Sequence, residues 1–225
     1  MRFCDVLFVL LLPLGLVGQT IKVQPEEIRA GESATLSWDT AGAKAFILGY
    51  GPVSGKGSAS VSPSASTDFT MVTETESGIR FEARRLLVSG AKGDDGTPAL
   101  SSFGVAERGE RRGIDYIDFQ VAVWKLLQGK GYAVKGDYAP KRPFVTVYTD
   151  FALRPDLVDK AERIRARRLA LAIDIDEPKA GAIGFGVRPD LEFQYRGEDD
   201  WRPEKEGSAA KAEAMKVLQL LQSAP

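Results

Sequence analysis

Three acidic residues in the second half of the sequence have the types and spacing that chemistry would need. Asp174 and Asp176 stand two residues apart in a stretch of alternating side chains, and Glu177 follows directly. Alternate residues of a β-strand point to one face, so we expect both aspartates on the same side of a sheet. Paired carboxylates can serve as acid and base in glycoside hydrolysis or as oxygen ligands for Ca²⁺. The segment lacks the spacing of a calcium-binding loop, and polar residues before Pro178 are also typical of an ordinary strand end.

A second candidate group combines carboxylates with an aromatic ring. Glu198 begins the run Glu-Asp-Asp-Trp-Arg, in which Trp201 follows three acidic residues. Such a group could bind a sugar or a cation. The alternative is a solvated loop.

A third candidate group consists of four closely spaced arginines, Arg163, Arg165, Arg167 and Arg168. They could bind an anion, but no glycine-rich phosphate loop accompanies them, and the alternative is the charged end of a solvated helix. The candidate binding residues are therefore Asp174, Asp176, Glu177, Glu198 and Trp201.

The amino-acid inventory restricts the chemistry further. The chain has no histidine, and its one cysteine, Cys4, lies in an apolar N-terminal segment. Histidine is the usual general base near neutral pH and the commonest metal ligand, and a cysteine thiolate is the usual sulfur nucleophile. Once that segment is removed, a Ser-His-Asp triad, a Cys-His pair and a zinc site with histidine or cysteine ligands are excluded. We predict no cofactor and no metal, and favour a protein that is not an enzyme.

The N-terminal residues 1–18 have the pattern of a secretory signal peptide. Arg2 supplies a positive charge, residues 6–12 are all apolar, and Gly18 offers a small residue for cleavage. The apolar run is shorter than the about 20 residues that a membrane-spanning helix requires. We therefore expect an exported protein, periplasmic or extracellular, with no integral membrane segment after signal removal.

The charge balance bears on the class of partner. Thirty basic residues against 31 acidic residues leave a net charge of −1. A nucleic-acid-binding protein would present a strongly basic face, so we predict no nucleic-acid partner. The expected partner is an envelope or extracellular protein or glycan.

Residues 19–89 have the pattern of an all-β domain. Ala34, Leu36 and Trp38 alternate with polar residues, which predicts a half-buried strand with Trp38 in the core. Further short strands are predicted at 45–48, 58–61, 69–73 and 81–88. Turn-rich segments separate them, and regularly spaced short strands are typical of a β-sandwich.

Three motifs occur in a fixed order within this domain. The chain has GESATLSW at 31–38, GSASVSP at 57–63 and STDFT at 66–70. This order resembles the bacterial immunoglobulin-like domains of exported proteins, which carry a G-x-S-x-T-L-x-W strand and a later G-x-x-x-V-x-P-x-x-T-T-x-Y-x-L stretch. The resemblance implies an immunoglobulin-like spacer or adhesion module and names no catalytic residue. Phe69 stands at the family's usual tyrosine, so the hydroxyl contact of a tyrosine corner cannot form.

The rest of the chain predicts a linker and a second domain. Glycines and mixed charges in 90–113 indicate a solvated linker that ends in the charged run 107–112. Residues 114–225 predict an α+β domain with a mostly antiparallel sheet and helices on one face. Its predicted helices are 114–127, 155–168 and 208–222, and its predicted strands are 144–148, 169–176 and a hairpin of 182–187 with 191–196.

Three function classes follow from these patterns. The first is an exported, non-catalytic binding or interaction protein of the bacterial cell envelope, in which the immunoglobulin-like spacer presents the α+β domain. The second is a carboxylate-based hydrolase of envelope glycan, which needs two carboxylates about 5–10 Å apart in one pocket. The third is a structural subunit of a secreted assembly, for which a large exposed apolar patch is expected.

Overall fold

The computed structural model describes residues 18–90, 100, 103–138, 144–158, 163–204 and 208–223. The predicted signal peptide up to residue 17 and most of the glycine-rich part of the predicted linker lie outside these residues. The elements in chain order are β1 (Thr20–Gln24), β2 (Glu27–Arg29), β3 (Ala34–Asp39), β4 (Lys44–Ile47), β5 (Gly51–Val53), β6 (Lys56–Val61), β7 (Thr67–Thr75), β8 (Gly78–Ser89), β9 (Glu107–Arg112), α1 (Tyr116–Gly129), β10 (Val134–Tyr138), β11 (Phe144–Thr149), β12 (Ala152–Leu153), a 3₁₀ turn (Pro155–Leu157), β13 (Ile164–Asp176), β14 (Ala182–Tyr195), β15 (Arg202–Pro203) and α2 (Ser208–Ser223).

The N-terminal unit, residues 18–90, consists of two β-sheets that pack face to face. One sheet has the order β1-β3-β6, and the other has the order β2-β8-β7-β4-β5. All their pairings are antiparallel except that of β2 with β8. The shared core of the two sheets contains Ile21, Val23, Ile28, Ala34, Leu36, Ala45, Ile47, Phe69, Met71, Leu86 and Val88.

The alternation predicted for 34–38 is present in β3, but Trp38 is only partly buried. Its ring lies against Gly57, where a Cβ atom would approach the ring to 2.5 Å. Trp38 also contacts Tyr50, with the ring centroids 5.4 Å apart. The tryptophan therefore packs at the border of the core rather than in its centre.

The C-terminal unit, residues 103–223, contains a seven-stranded antiparallel sheet. Its path is β10-β11-β13-β14-β15, with β12 paired to β13 and β9 paired to β14. Leu169, Leu171, Ile173 and Ile175 of β13 point to the face that α1 and α2 cover, where they join the largest apolar core. Ala170 and Ala172 lie on the opposite face, which we call the outer face. The protein is thus mostly β-structure in several largely antiparallel sheets.

The predicted helix 155–168 is wrong. Residues 155–157 form a 3₁₀ turn and residues 164–168 are the start of β13. The arginines had suggested a helix C-terminus, but strand alternation places them on different faces. Arg167 is buried on the helix side, and Arg168 points to the outer face.

The predicted hairpin in 182–196 is also wrong, because β14 runs unbroken through Pro189. One edge of β14 pairs with β13 over 185–195, while the other edge pairs with β9 at 182–187 and with β15 at 192–193. Pro189 falls between these two partners, and its carbonyl accepts a hydrogen bond from the Gly104 amide at 2.8 Å. The N–H and C=O groups of one strand residue point to the same side, so the amide that Pro189 lacks would also point away from β13. The ladder between β13 and β14 therefore loses no hydrogen bond.

Residues 107–112, which the sequence places in the linker, form β9 along β14. The two units also share a core: Phe46, Leu48 and Val72 of the N-terminal unit belong to the same apolar cluster as α1, α2 and the seven-stranded sheet. The rings of Phe46 and Trp124 meet edge to face at 5.4 Å. Among the described residues, no helix has the length and apolar character to cross a membrane.

Candidate functional site

Asp174, the first sequence candidate, is held in a hydrogen-bonded pair. Arg188 donates to both of its carboxylate oxygens, from Nε at 2.7 Å and from Nη2 at 2.9 Å. Thr146 Oγ1 donates to Oδ1 at 2.7 Å. The Asp174 side chain is only 15% exposed. Bidentate arginine pairs are strong and geometrically fixed, so this carboxylate positions Arg188 rather than standing free as an acid or base.

Asp176 and Glu177 have different surroundings from Asp174. Asp176 shares the outer face with Asp174, as strand alternation requires, and its Oδ2 lies 3.8 Å from Arg108 Nη1. It fits because residue 184 is glycine, where a Cβ atom would come within 2.7 Å of Oδ2. Glu177 is exposed beyond the end of β13. Burial, together with the charge of Glu177, raises the pKa of Tyr116.

Glu198 and Trp201 are likewise engaged by neighbouring side chains. Glu198 pairs with Arg202 at 2.8 Å across the solvent-exposed turn. The Trp201 ring lies against the guanidinium of Arg168, 4.5 Å from centroid to Cζ, and Phe151 lies 4.3 Å from the same Cζ. Arg168 also pairs with Glu192 at 2.6 Å. The structure therefore does not bring the five sequence candidates together into one site.

Two rows of opposed residues cross the strands on the outer face and end on β10, at the edge of the sheet. Asp174 is opposite Thr146, which is opposite Asp137. In the next row, Tyr148 is opposite Lys135. Directly opposed residues of an antiparallel pair have Cβ atoms about 4.5–5.5 Å apart, so the residues of each row are neighbours across the strands.

A cleft of about 610 Å³ opens beside this edge, between the two units. We call it the junction cleft. One wall is the continuous run 61–69 of the N-terminal unit, the other is the continuous run 133–137 that contains most of β10, and Gly49, Tyr148 and Asp150 complete it. The sequence analysis missed this site, because the two runs are about 70 residues apart and neither contains a motif for chemistry.

Carboxylates outnumber ammonium groups in the junction cleft. Asp68, Asp137 and Asp150 line it with Lys135. Lys135 Nζ pairs with Asp150 Oδ1 at 2.8 Å, and Asp68 Oδ2 lies 3.8 Å from Arg85 Nη1. The Asp137 side chain makes no hydrogen bond or ion pair within the part of the chain that the structure describes. Across the same described ranges, no three carboxylates are grouped as metal ligands. The cleft is therefore acidic and suited to a ligand with donor or cationic groups.

Charged residues of β4 and β7 fix helix α1 and with it the geometry of the junction. Glu74 accepts hydrogen bonds from the amides of Tyr116 and Ile117 at 3.2 and 3.1 Å. Both amides belong to the first turn of α1, where amides have no hydrogen-bond acceptor within the helix. Asp115 at the N-cap makes no side-chain capping bond.

Lys44, opposite Glu74 in the same sheet, holds the beginning of the same helix. Its Nζ lies 2.6 Å from Asp115 Oδ2 and 2.7 Å from Asp118 Oδ2. The hydrogen bonds to Asp115 and Asp118 raise the pKa of Lys44 above its ordinary value. Neighbouring residues of one sheet thus bind both the amides and the carboxylates at the start of α1.

A second charged network ties α2 to the sheet. Arg154 Nη1 lies 3.1 Å from Glu213 Oε1 and donates to the Tyr132 hydroxyl at 3.2 Å, and its Nη2 lies 2.6 Å from Asp156 Oδ2. Burial opposes the ionisation of Glu213, but hydrogen bonds to Arg154 and Lys216 outweigh it and hold the pKa of Glu213 below its ordinary value. This network holds α2 against the segment that contains Arg154 and Asp156.

No protein-family model and no curated protein sequence matches this chain.

Proposed function

We propose that this protein is an exported, non-catalytic binding protein of the bacterial cell envelope whose partner binds in the junction cleft. In this proposal the N-terminal unit is an immunoglobulin-like sandwich and the C-terminal unit is an α+β domain. The observation that carries the proposal is the cleft itself, about 610 Å³ and lined by both units. Cavities that bind ligands have volumes of about 300–1,000 Å³.

The positions of the sequence motifs support the immunoglobulin-like assignment. The segment 31–38 leads into and forms most of β3 in the three-stranded sheet, and 66–70 leads into β7 in the facing sheet. Phe69, at the family's tyrosine position, is buried between the two sheets. Two sheets that pack with the motif strands on opposite sides of one core are what such a sandwich requires.

The fixed junction supports binding by a preformed surface. Glu74 and Lys44 hold the start of α1, and Phe46 packs against Trp124 within the shared core. A cleft whose walls are already ordered loses less conformational entropy when a ligand binds. The N-terminal unit then acts as a wall of the site as well as a spacer.

The two alternative functions have less support. At the carboxylates from which the hydrolase alternative was drawn, Asp174 is paired with Arg188 and Glu198 is paired with Arg202. A structural subunit would need a large apolar patch, whereas the exposed large apolar side chains of the described residues lie on separate segments: Tyr50, Leu87, Val105, Leu153 and Leu220.

Cross-linking from the cleft tests the proposed function. The variant Ala65→Cys places a thiol on the cleft wall, and Cys4→Ser in the same chain makes it the only thiol. After attachment of a thiol-reactive photo-cross-linker, the protein is mixed with envelope extract and irradiated. We expect a discrete adduct whose yield falls when excess unlabelled protein is added.

The matched control is Ala212→Cys with Cys4→Ser, which makes the same substitution outside the cleft. Ala212 is exposed on α2 and does not line the junction cleft. This control should give no competable adduct. Equal labelling from both positions, or none from Ala65→Cys, would contradict a binding role for the junction cleft.

Export is tested separately by cell fractionation and by the mass of the purified protein. We expect a chain that begins at Gln19 in the exported fraction. Gln19 accepts a hydrogen bond from Thr73 Oγ1 at 3.0 Å, so the fold extends to the expected cleavage position. A full-length chain in the cytoplasmic fraction would contradict export.

A further inference from the structure

The strand at the edge of the junction cleft has one unpaired side. β10 is the first strand in the order of the seven-stranded sheet, and its one strand partner among the described residues is β11. The unpaired edge of a strand presents a row of amide and carbonyl groups that can pair with another chain.

The ladder geometry identifies which groups of β10 point outward. The Asp150 amide donates to the Ala133 carbonyl at 3.2 Å, so these two opposed residues form a hydrogen-bonded pair. Such pairs alternate along an antiparallel ladder, which places Lys135 and Asp137 in the next hydrogen-bonded pairs. The amides and carbonyls of Val134, Gly136 and Tyr138 therefore point away from β11, and no backbone hydrogen bond occupies them within the described part of the chain.

The junction cleft covers the outer face of β10 and reaches round to this edge, where Gly49 lines it. It is lined by all five consecutive residues 133–137. Successive side chains of a strand point to opposite faces, so a cavity that is lined by every residue from 133 to 137 includes backbone groups of this strand as well as the outer-face side chains. Leu48 covers the inner face at Gly136, where a Cβ atom would meet its Cβ at 2.7 Å.

The opposite wall has little unused hydrogen-bonding capacity in its side chains. Ser62 bonds with Ser33 at 2.8 Å, Ser66 accepts from the Val88 amide at 3.0 Å, and Thr67 donates to the Ala65 carbonyl at 2.8 Å. The backbone edge of β10 and the Asp137 and Asp68 carboxylates are therefore the groups of the cleft that we consider for binding.

We propose that the junction cleft binds an extended peptide segment with at least one basic side chain, which adds as a strand to the edge of β10. Backbone pairing provides the alignment, as in other cases of strand addition. The acidic lining, with Asp137 beside the edge and Asp68 on the facing wall, selects the basic side chain. The peptide would span about five or six residues, the usual length of a strand. This inference rests on the proposed function and names its ligand class.

A selection from a random hexapeptide library tests the proposal on the full chain. We expect enrichment of Lys or Arg at one position, and depletion of Asp and Glu there. For a selected peptide, N-methylation of one alternate set of amides should abolish binding, while N-methylation of the other set should leave it within about two-fold, because only alternate amides of an added strand face β10.

The variant Asp137→Asn tests the charge. It should weaken binding of the selected basic peptide by about two- to five-fold, the range of an exposed ion pair, and leave binding of its Lys→Gln analogue unchanged. The matched control Asp200→Asn removes the same charge near β15, at the opposite edge of the sheet from β10, and should change neither.

Two results would overturn the peptide proposal while leaving the proposed function intact. The first is a competable adduct from Ala65→Cys while the peptide library yields no binders. The same adduct together with binding of a simple sugar or amine, rather than a peptide, counts as this first result. The other is a set of selected peptides without basic enrichment or without the alternate effect of N-methylation. A failed library selection together with no adduct from Ala65→Cys would overturn both.

Discussion

At the scale of residues, the partner of each carboxylate decides what that carboxylate can do. Asp174 and Asp137 are the same residue type on adjacent parts of one outer face, and both oppose Thr146 across the sheet. Arg188 occupies Asp174 with two hydrogen bonds, whereas Asp137 faces the junction cleft. The sequence emphasised Asp174 because of its spacing from Asp176, but spacing along a strand gives no information about partners from other strands.

The variant Asp174→Ala should destabilise the fold. It leaves the Arg188 guanidinium, itself only 17% exposed, without its bidentate partner. We expect a loss of about 2–4 kcal/mol in the free energy of unfolding, measured by urea denaturation. Asp200→Ala, on an exposed turn, is the control and should change it by less than about 0.5 kcal/mol. An effect of Asp174→Ala as small as the control's would show that the pair is not part of the structural framework.

Glu213 should make stability depend on pH in the acid range. Its pKa is lowered from 4.5 in the folded protein, so the unfolded chain binds the proton more tightly. Stability from this group is therefore fully present above about pH 5 and decreases as the pH falls below 4.5 through the lowered pKa. The measurement is the free energy of unfolding of wild type and Glu213→Gln from pH 7 to pH 3. The stability advantage of the wild type should shrink in acid, and a constant difference would contradict this assignment.

At the scale of elements, neighbouring strands determine where regular structure begins and ends. β14 continues through Pro189 because its outer edge changes partners there, from β9 to β15. Helix α1 begins at Tyr116 because Glu74 from β7 binds its first amides. In both cases the determining groups belong to other strands of the fold.

Glu74→Ala should weaken the start of α1. Two first-turn amides lose their acceptor, which should cost about 1 kcal/mol in the free energy of unfolding, in line with the loss of other helix caps. Hydrogen exchange should also be faster at the amides of Tyr116 and Ile117. Glu76→Ala, two residues further on in an exposed turn, is the control and should change neither quantity. Unchanged exchange in Glu74→Ala would exclude the capping role.

At the scale of the whole molecule, the two units are joined by a common core rather than by a solvated hinge. Phe46 and Leu48 of the N-terminal unit lie in one cluster with Trp124 of α1 and Val147 of β11. Strand β9, within the segment that the sequence assigned to the linker, completes the sheet beside β14. The junction cleft therefore has walls that cannot separate without exposing apolar surface.

A common core predicts one cooperative unfolding transition. Differential scanning calorimetry should give a single peak, with a calorimetric enthalpy equal to the van't Hoff enthalpy. Phe46→Ala should shift that peak as a whole, with a loss of about 3–5 kcal/mol. Two separate transitions, of which only one moves in Phe46→Ala, would show that the units fold independently.

The sequence by itself determined the local elements that have strong periodicity. The strands near 34–38 and 169–176 and the helices near 114–127 and 208–222 follow from apolar spacing alone, because that spacing reflects which side of an element is buried. The same reasoning failed at Arg163 and Pro189, since charge pattern and proline are weak signals when a neighbouring strand supplies or removes the need for a hydrogen bond. Only the tertiary structure decided the shared core, the pairing of Asp174 with Arg188 and the junction cleft. Each of these depends on residues far apart in the chain, whose contacts are set by strand order and register rather than by local pattern.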